Sequence, residues 1–203
     1  LFQYLCDQTG IKCAIIHGTA KTLLQDIGVL PTTSNHAWNA VRIGTGWKFV
    51  DVTWGAGYIN ETNTYIHDFT DTYFFLNPEK FAYNHYPTDS KWLLTPLSPD
   101  EFANLPIYFR NFFDSGLEVI EPINGIIKLS GQKHIILKIK NPNNHTLMIK
   151  FNNEPYAYAI TPQIDGQNYT YELTLPKKPA QYLSIYLNLQ SCVGFKISRL
   201  KHQ

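Results

Sequence analysis

Two residues of this chain, His36 and Asp51, have the types and the spacing that proton-transfer chemistry needs. They sit in His36-Ala37-Trp38-Asn39-Ala40-Val41-Arg42-Ile43-Gly44-Thr45-Gly46-Trp47-Lys48-Phe49-Val50-Asp51-Val52-Thr53-Trp54-Gly55. An imidazole titrates near neutrality and can carry a proton between partners. A carboxylate beside it fixes the tautomer and stabilises the imidazolium. Such a pair is two thirds of a nucleophilic triad, whose third member is a cysteine or serine, here sought at the start of a helix.

The element that must bring them together is a β-hairpin. Residues 36–43 and 47–54 are rich in Trp, Val, Ile, Phe and Thr, which suit a pleated surface. A two-residue loop, Gly44-Thr45, suits a type II′ turn because glycine comes first. That register pairs Ile43 with Gly46, Trp38 with Asp51 and His36 with Thr53. His36 and Asp51 are then diagonal neighbours on one face, with Cβ atoms about 7 Å apart or less. A three-residue loop without a bulge would put them on opposite faces, because side chains alternate along a strand. The same residues also fit an ordinary hairpin whose histidine and aspartate are plain polar strand residues, and spacing alone leaves both readings open.

With 203 residues, 44% of them apolar, the chain can build one large domain or two smaller ones, each with a core. A net charge of +1 gives no electrostatic case for binding nucleic acid or an acidic membrane surface. No apolar run reaches the roughly 20 residues of a membrane span. Cys6, Cys13 and Cys192 form neither a paired framework nor a metal-ligand spacing. Three glycosylation sequons, at Asn60, Asn144 and Asn168, weigh only slightly towards a secreted or cell-surface compartment.

Leu1-Phe2-Gln3-Tyr4-Leu5-Cys6-Asp7-Gln8-Thr9 reads as a helix with a stop signal, Gly10, and no capping residue before it. Nine uncapped residues make a marginal helix alone, so its start is expected upstream of Leu1. Ile11 to Gly18 then reads as a short buried strand. Helix, strand and His/Asp hairpin follow the order of a papain-like core in which the helix presents the nucleophile.

Several ordered stretches carry a family resemblance. They are Leu1-Phe2, Leu5-Cys6, Gly10-Ile11-Lys12-Cys13 and Gly18, then His36 to Val41, then Trp47 and Val50 to Gly57. Tyr73-Phe74, Pro78-Glu79-Lys80-Phe81, His85-Tyr86-Pro87, Trp92-Leu93-Leu94, Phe102 and Leu105-Pro106 continue the match. Residues 1 to about 117 thus resemble the transglutaminase-like superfamily of cysteine peptidases and acyltransferases, in the branch that includes kyphoscoliosis peptidase. The resemblance implies that His36 is the general base and Asp51 its orienting partner. It implies a nucleophilic cysteine a few residues before Leu1, where a helix N-terminus and His36 would favour the thiolate. That cysteine is not among residues 1–203. Cys6 lies within the helix beside Phe2 and Leu5 and reads as a packed apolar residue, and Cys13 reads as structural.

Trp38 and Trp54 are candidates for the walls of a substrate cleft, or equally for core. Asn39 faces away from His36 by alternation. His67, Asp68 and His85 are too scattered in sequence for a metal site and read as surface or local-turn residues, and His17, at the end of a buried strand, reads as a satisfied core residue. No metal or organic cofactor is implied. Residues 58–75, rich in Asn, Thr, Asp and Tyr, read as a loop beside the groove.

From residue 118 onward the pattern changes to short alternating runs, at 118–121, 126–129, 133–140, 146–151, 156–160, 168–175, 181–189 and 193–199. Turn signals at 141–144, 165–166 and 176–179 separate them. The expected fold is an α+β papain/transglutaminase-like core over 1–117, followed by an all-β immunoglobulin-like sandwich over 118–203. The expected function is cysteine-dependent acyl transfer on a protein or peptide amide. The alternative is a catalytically inactive scaffold of the same fold that binds protein.

Overall fold

The computed structural model describes residues 1–60 and 62–199. Glu61 of the first sequon and the end of the expected second domain, 200–203, lie outside the described residues. The structure is mostly β-sheet, and among the described residues its α-helices run to seven residues at most. It divides into two compact units, Leu1–Ala20 with Leu30–Phe102, and Lys21–Val29 with Ala103–Gln203.

The first unit opens with α1 (Phe2–Gln8), which has no side-chain cap and stops before Gly10 at φ +74°. It continues with β1 (Cys13–Ala20), β2 (His36–Ile43), β3 (Gly46–Val50) and α2 (Val52–Ala56). Then come β4 (Gly57–Ile59), β5 (Tyr65–His67), α3 (Pro78–Phe81), β6 (His85–Pro87) and α4 (Pro99–Asn104). One antiparallel sheet has the order β3-β2-β1-β6. Ile16, Trp38, Ala40, Phe49 and Phe81 form a core beside it. Cys6, Val41 and Val50, with Phe2, Cys13 and Phe75 against them, form a second cluster to which α1 contributes. β1 starts two residues later than expected and buries only alternate positions, Ile16, Gly18 and Ala20, while Ile15 is half exposed. Residues 58–75 are not a plain loop: β4 and β5 pair within them as a small hairpin.

The β2–β3 hairpin has the register read from the sequence, Ile43 opposite Gly46 through Asn39 opposite Val50. Gly44 sits at φ +58°, as the first position of a type II′ turn requires. The second strand is shorter than expected. It ends at Val50, and Val52–Ala56 coils into α2 instead of pairing on to Thr53. The β propensity of Val52, Thr53 and Trp54 loses to Asp51, whose carboxylate caps the helix by accepting from Thr53 N and Trp54 N.

The second unit contains β7 (Ile107–Tyr108), α5 (Arg110–Ser115), β8 (Glu118–Glu121), β9 (Ile126–Leu129), β10 (His134–Lys140), β11 (Leu147–Phe151) and β12 (Tyr158–Ala159). It ends with β13 (Gln163–Asp165), β14 (Asn168–Thr174), β15 (Tyr182–Leu187) and β16 (Gln190–Arg199). One sheet has the order β13-β14-β10-β8. The other runs β12-β11-β15-β16-β7, with β9 parallel to β16. Alternate residues are buried in both: Ile135, Leu137 and Ile139 on β10, Leu183, Ile185 and Leu187 on β15. Each sheet therefore turns one apolar face inward.

The sequence analysis divides the chain after residue 117, whereas the compact units divide after Phe102. The reason lies in pairing. β7 adds to the edge of β16 through Tyr108 opposite Val193 and Ile107 opposite Gly194. Residues 21–29 also belong to this unit. Gly28 N donates to Ala103 O at 2.7 Å, Lys196 Nζ to Ile27 O at 3.2 Å and the buried Lys21 Nζ to Leu105 O at 3.1 Å.

Candidate active site

His36 opens β2, opposite Gly18 of β1. Asp51 leaves the end of β3, and its backbone N–H donates to Tyr73 O at 3.2 Å. Phe75, two residues on, ties back to Phe49 O at 2.9 Å and holds φ +60°, a left-handed conformation unusual for a bulky side chain. Its ring packs against the Cys6, Val41 and Val50 cluster. The His36 and Asp51 side chains meet because Asp51 turns inward to cap α2, and not as diagonal neighbours on paired strands.

The pair is in direct contact, His36 Nε2 to Asp51 Oδ2 at 2.6 Å. The Asp51 side chain is 0% exposed and that of His36 14%. Oδ1 of Asp51 accepts from the backbone N–H groups of Thr53 and Trp54, both at 3.0 Å. Oδ2 also accepts from a third residue, His85 Nε2, at 3.0 Å. Burial pushes the Asp51 carboxyl up, but the hydrogen bonds and charges of His36 and His85 outweigh it and hold it well below the ordinary carboxylate range.

His85 is a correction to the sequence reading, which placed it in a surface or turn role. It is 2% exposed and lies at the start of β6, opposite Ala20. Its ring stacks on Phe81 at 4.0 Å and lies 4.4 Å from the Trp54 ring and 5.1 Å, edge-on, from Trp38. Burial pushes its pKa down, against the opposing hydrogen bond to Asp51. Gly18 lets β6 come this close. A Cβ there would lie 2.2 Å from Tyr86 O, 2.5 Å from Trp38 Cη2 and 2.9 Å from Pro87 Cα.

The two candidate cleft tryptophans differ in setting. Trp54 is half-buried and stacks on His36, with centroids 5.3 Å apart. Trp38 is 2% exposed and belongs to the Ile16–Phe81 core, and its Nε1 has no hydrogen-bond partner among the described residues. Asn39 points away from the pair and donates to Ala14 O at 3.4 Å. His17 is exposed.

Among the described residues of the first unit, no cysteine is hydrogen-bonded to His36. Cys6 is buried in the α1 cluster and Cys192 in the second unit. Burial and the neighbouring Cys6 push the Cys13 thiol up to about 11, and burial pushes Cys192 up to about 12. Neither is poised as a thiolate. Among the described residues, His36, Asp51 and His85 also group their donor atoms within 4.8 Å, a set that in chemistry alone could ligate a cation. Their separations of 2.6 and 3.0 Å are those of hydrogen bonds. They are shorter than the roughly 3.3 Å between two ligands on a tetrahedral zinc with bonds near 2.0–2.1 Å.

No family model matches the chain. It is 30% identical over 142 residues to Hillarin of Drosophila melanogaster, covering 63% of this chain and 17% of that protein. It is 27% identical over 159 residues to kyphoscoliosis peptidase of Mus musculus, covering 76% of this chain and 24% of that protein. It is 30% identical over 139 residues to the Lim and transglutaminase domain protein ltd-1 of Caenorhabditis elegans, covering 60% and 19%. The chain thus spans less than a quarter of the length of these relatives. Their names, at modest identity, suggest a transglutaminase-like relationship. A solution NMR structure of a titin I27 domain mutant aligns with 43% of this chain and 93% of its own, at 14% identity and a TM-score of 0.30. At that score nothing about the fold follows. Among the described residues no helix is long and apolar enough to cross a membrane.

Proposed function

We propose that the first unit supplies the histidine and carboxylate of a cysteine-dependent acyl-transfer centre, within a papain/transglutaminase-like core, and that the second unit is an immunoglobulin-like accessory sandwich. The observation that carries this reading is the 2.6 Å contact from His36 Nε2 to a fully buried Asp51. The relatives named for a peptidase and a transglutaminase domain support it.

His36 Nε2 is spent on Asp51, so Nδ1 is the nitrogen that can accept a thiol proton. In this reading the nucleophile is a cysteine close to the start of α1, as the family resemblance implies. Phe2, in the first turn of α1, packs on the cluster containing Val50, the residue before Asp51. In the forward step a thiolate sulfur bonds to the amide carbonyl carbon, and the carbon–nitrogen bond breaks. His36 gives its proton to the leaving amine. Water, or a second amine, then attacks the thioester while His36 takes the incoming proton. The thiol leaves, giving a carboxylic acid or a new amide. Asp51 keeps the imidazole oriented and stabilises its charged form throughout. The half-buried face of Trp54 offers an apolar wall for the acyl group.

The test is labelling, with a thiol-directed amide or acyl probe, of a chain that carries residues ahead of Leu1. Labelling is expected to depend on a cysteine just before Leu1 and to fall at least about 100-fold in His36→Ala. Absence of labelling, or labelling indifferent to His36→Ala, overturns the reading and leaves the non-catalytic protein-binding scaffold.

A further inference from the structure

The buried imidazole of His85 is not needed for a three-membered triad, yet it occupies the oxygen on which His36 depends. Asp51 Oδ2 lies 2.6 Å from His36 Nε2 and 3.0 Å from His85 Nε2. His85 Nδ1 lies 3.1 Å from Phe81 O. Both neighbours of His85 are acceptors. A neutral imidazole has one N–H, so only the doubly protonated ring satisfies both edges, while burial favours the neutral ring. In either charge state Nε2 keeps its proton. The alternative would set a nitrogen lone pair 3.0 Å from a carboxylate.

We propose that His85 is a positioning residue for the His36–Asp51 pair: its Nε2–H donates to the carboxylate oxygen that His36 binds, so the anion is shared between two imidazoles. With the two amides on Oδ1, the carboxylate receives four hydrogen bonds, two from backbone and two from imidazoles. The groups facing His36 are few. Among the described residues, Asp51 and His85 are the titratable ones in contact with it, and Trp38 and Trp54 cover ring faces. A general base works best when its pKa lies near the working pH. A second donor on the carboxylate draws part of its charge away from His36, so removing that donor should strengthen the His36–Asp51 pairing. The Phe81 stack and the Gly18 contact with β6 fix the His85 ring in place for this task.

The proposal takes its purpose from the acyl-transfer reading, but its test needs neither cysteine nor substrate. Imidazole nitrogen NMR on the present chain, with chelator, reads tautomers and titration midpoints directly. In the unmodified chain His85 Nε2 is expected to be protonated across the neutral range. In His85→Phe, which keeps the stacking ring and removes the donor, the His36 midpoint is expected to rise by about one pH unit. His85→Gln, whose amide can still donate, should restore part of that shift. A His36 midpoint that moves by less than about 0.2 unit in His85→Phe overturns the proposal. So does an unprotonated Nε2 in the unmodified chain, a measurement that holds even where a variant fails to fold. A shifted midpoint with no probe labelling would remove the catalytic reading and leave the coupling intact. Labelling with an unmoved midpoint would do the reverse.

Discussion

Gly18→Ala is the most demanding check on how the site is built. The added methyl would lie 2.2 Å from Tyr86 O, 2.5 Å from Trp38 Cη2 and 2.9 Å from Pro87 Cα. Ordinary carbon contacts begin at about 3.5 Å, so the shortfall runs from about 0.6 to about 1.3 Å on three sides, two of them backbone. Backbone atoms cannot rotate out of the way as a side-chain tip can. β6 must therefore move off β1, and it carries His85 with it. Overpacking of this kind costs about 1–3 kcal/mol, and a loosened hydrogen bond to a buried charge adds about 1–3 kcal/mol. The expected loss is thus about 3 kcal/mol or more, read from guanidinium unfolding at pH 7. Gly46→Ala is the control: a Cβ there meets nothing within 4 Å, and Gly46 is not among the positive-φ glycines. Its effect should stay within about 1 kcal/mol, on either side of zero. If Gly18→Ala were no more costly than Gly46→Ala, and the His85 ring resonances were unmoved, the argument that a missing side chain seats β6 would be refuted.

Asp51→Asn puts an amide donor against two imidazole donors and should destabilise by about 3–5 kcal/mol at pH 7, measured by denaturant unfolding. Because the Asp51 carboxyl is held low in the folded state, the advantage over the variant is full above about pH 4 and shrinks as the pH falls below it; an advantage independent of acid would refute the assignment. Burial lowers Lys21 to about 7, with Asp26 opposing. The folded chain then binds fewer protons than the unfolded chain between pH 7 and about 10, so stability relative to Lys21→Met should rise across that window by a few kcal/mol at most, and a flat difference would count against it. Trp38→Phe removes an indole N–H that has no partner among the described residues, so it should cost less than about 2 kcal/mol, against about 3–5 kcal/mol for Trp38→Ala in the same unfolding assay.

The hairpin register was legible because Gly44-Thr45 allows few turns, and burial of alternate residues then fixes the faces. What misled the reading at its far end was local competition: Val52, Thr53 and Trp54 favour a strand, and only the capping geometry of Asp51 reverses that. In the second unit, strands with long alternation, such as β10 and β14, were readable. β13 and β7, of three and two residues, were not, since neither is long enough to show a period. β7 also pairs with β16, more than eighty residues away, which moves the compact division to Phe102. His85 escaped notice for the same reason. It is thirty-four residues from Asp51, and no spacing rule links them; only the β1–β6 pairing does. The clues that existed were a glycine inside a strand pattern at position 18, which marks a close backbone approach, and an aromatic four residues before a histidine.

A carboxylate with every direction already engaged has no slack. Asp51 cannot swing toward an incoming group without abandoning a helix start, a ring on the ribbon or a ring on the opposite edge strand. Three separate stretches of chain are therefore yoked to one small anion, and a shift in any of them is felt as a change of tilt in the imidazole at position 36. Anything that stiffened or displaced the short strand bearing His85 would retune that ring from a distance, without ever reaching it.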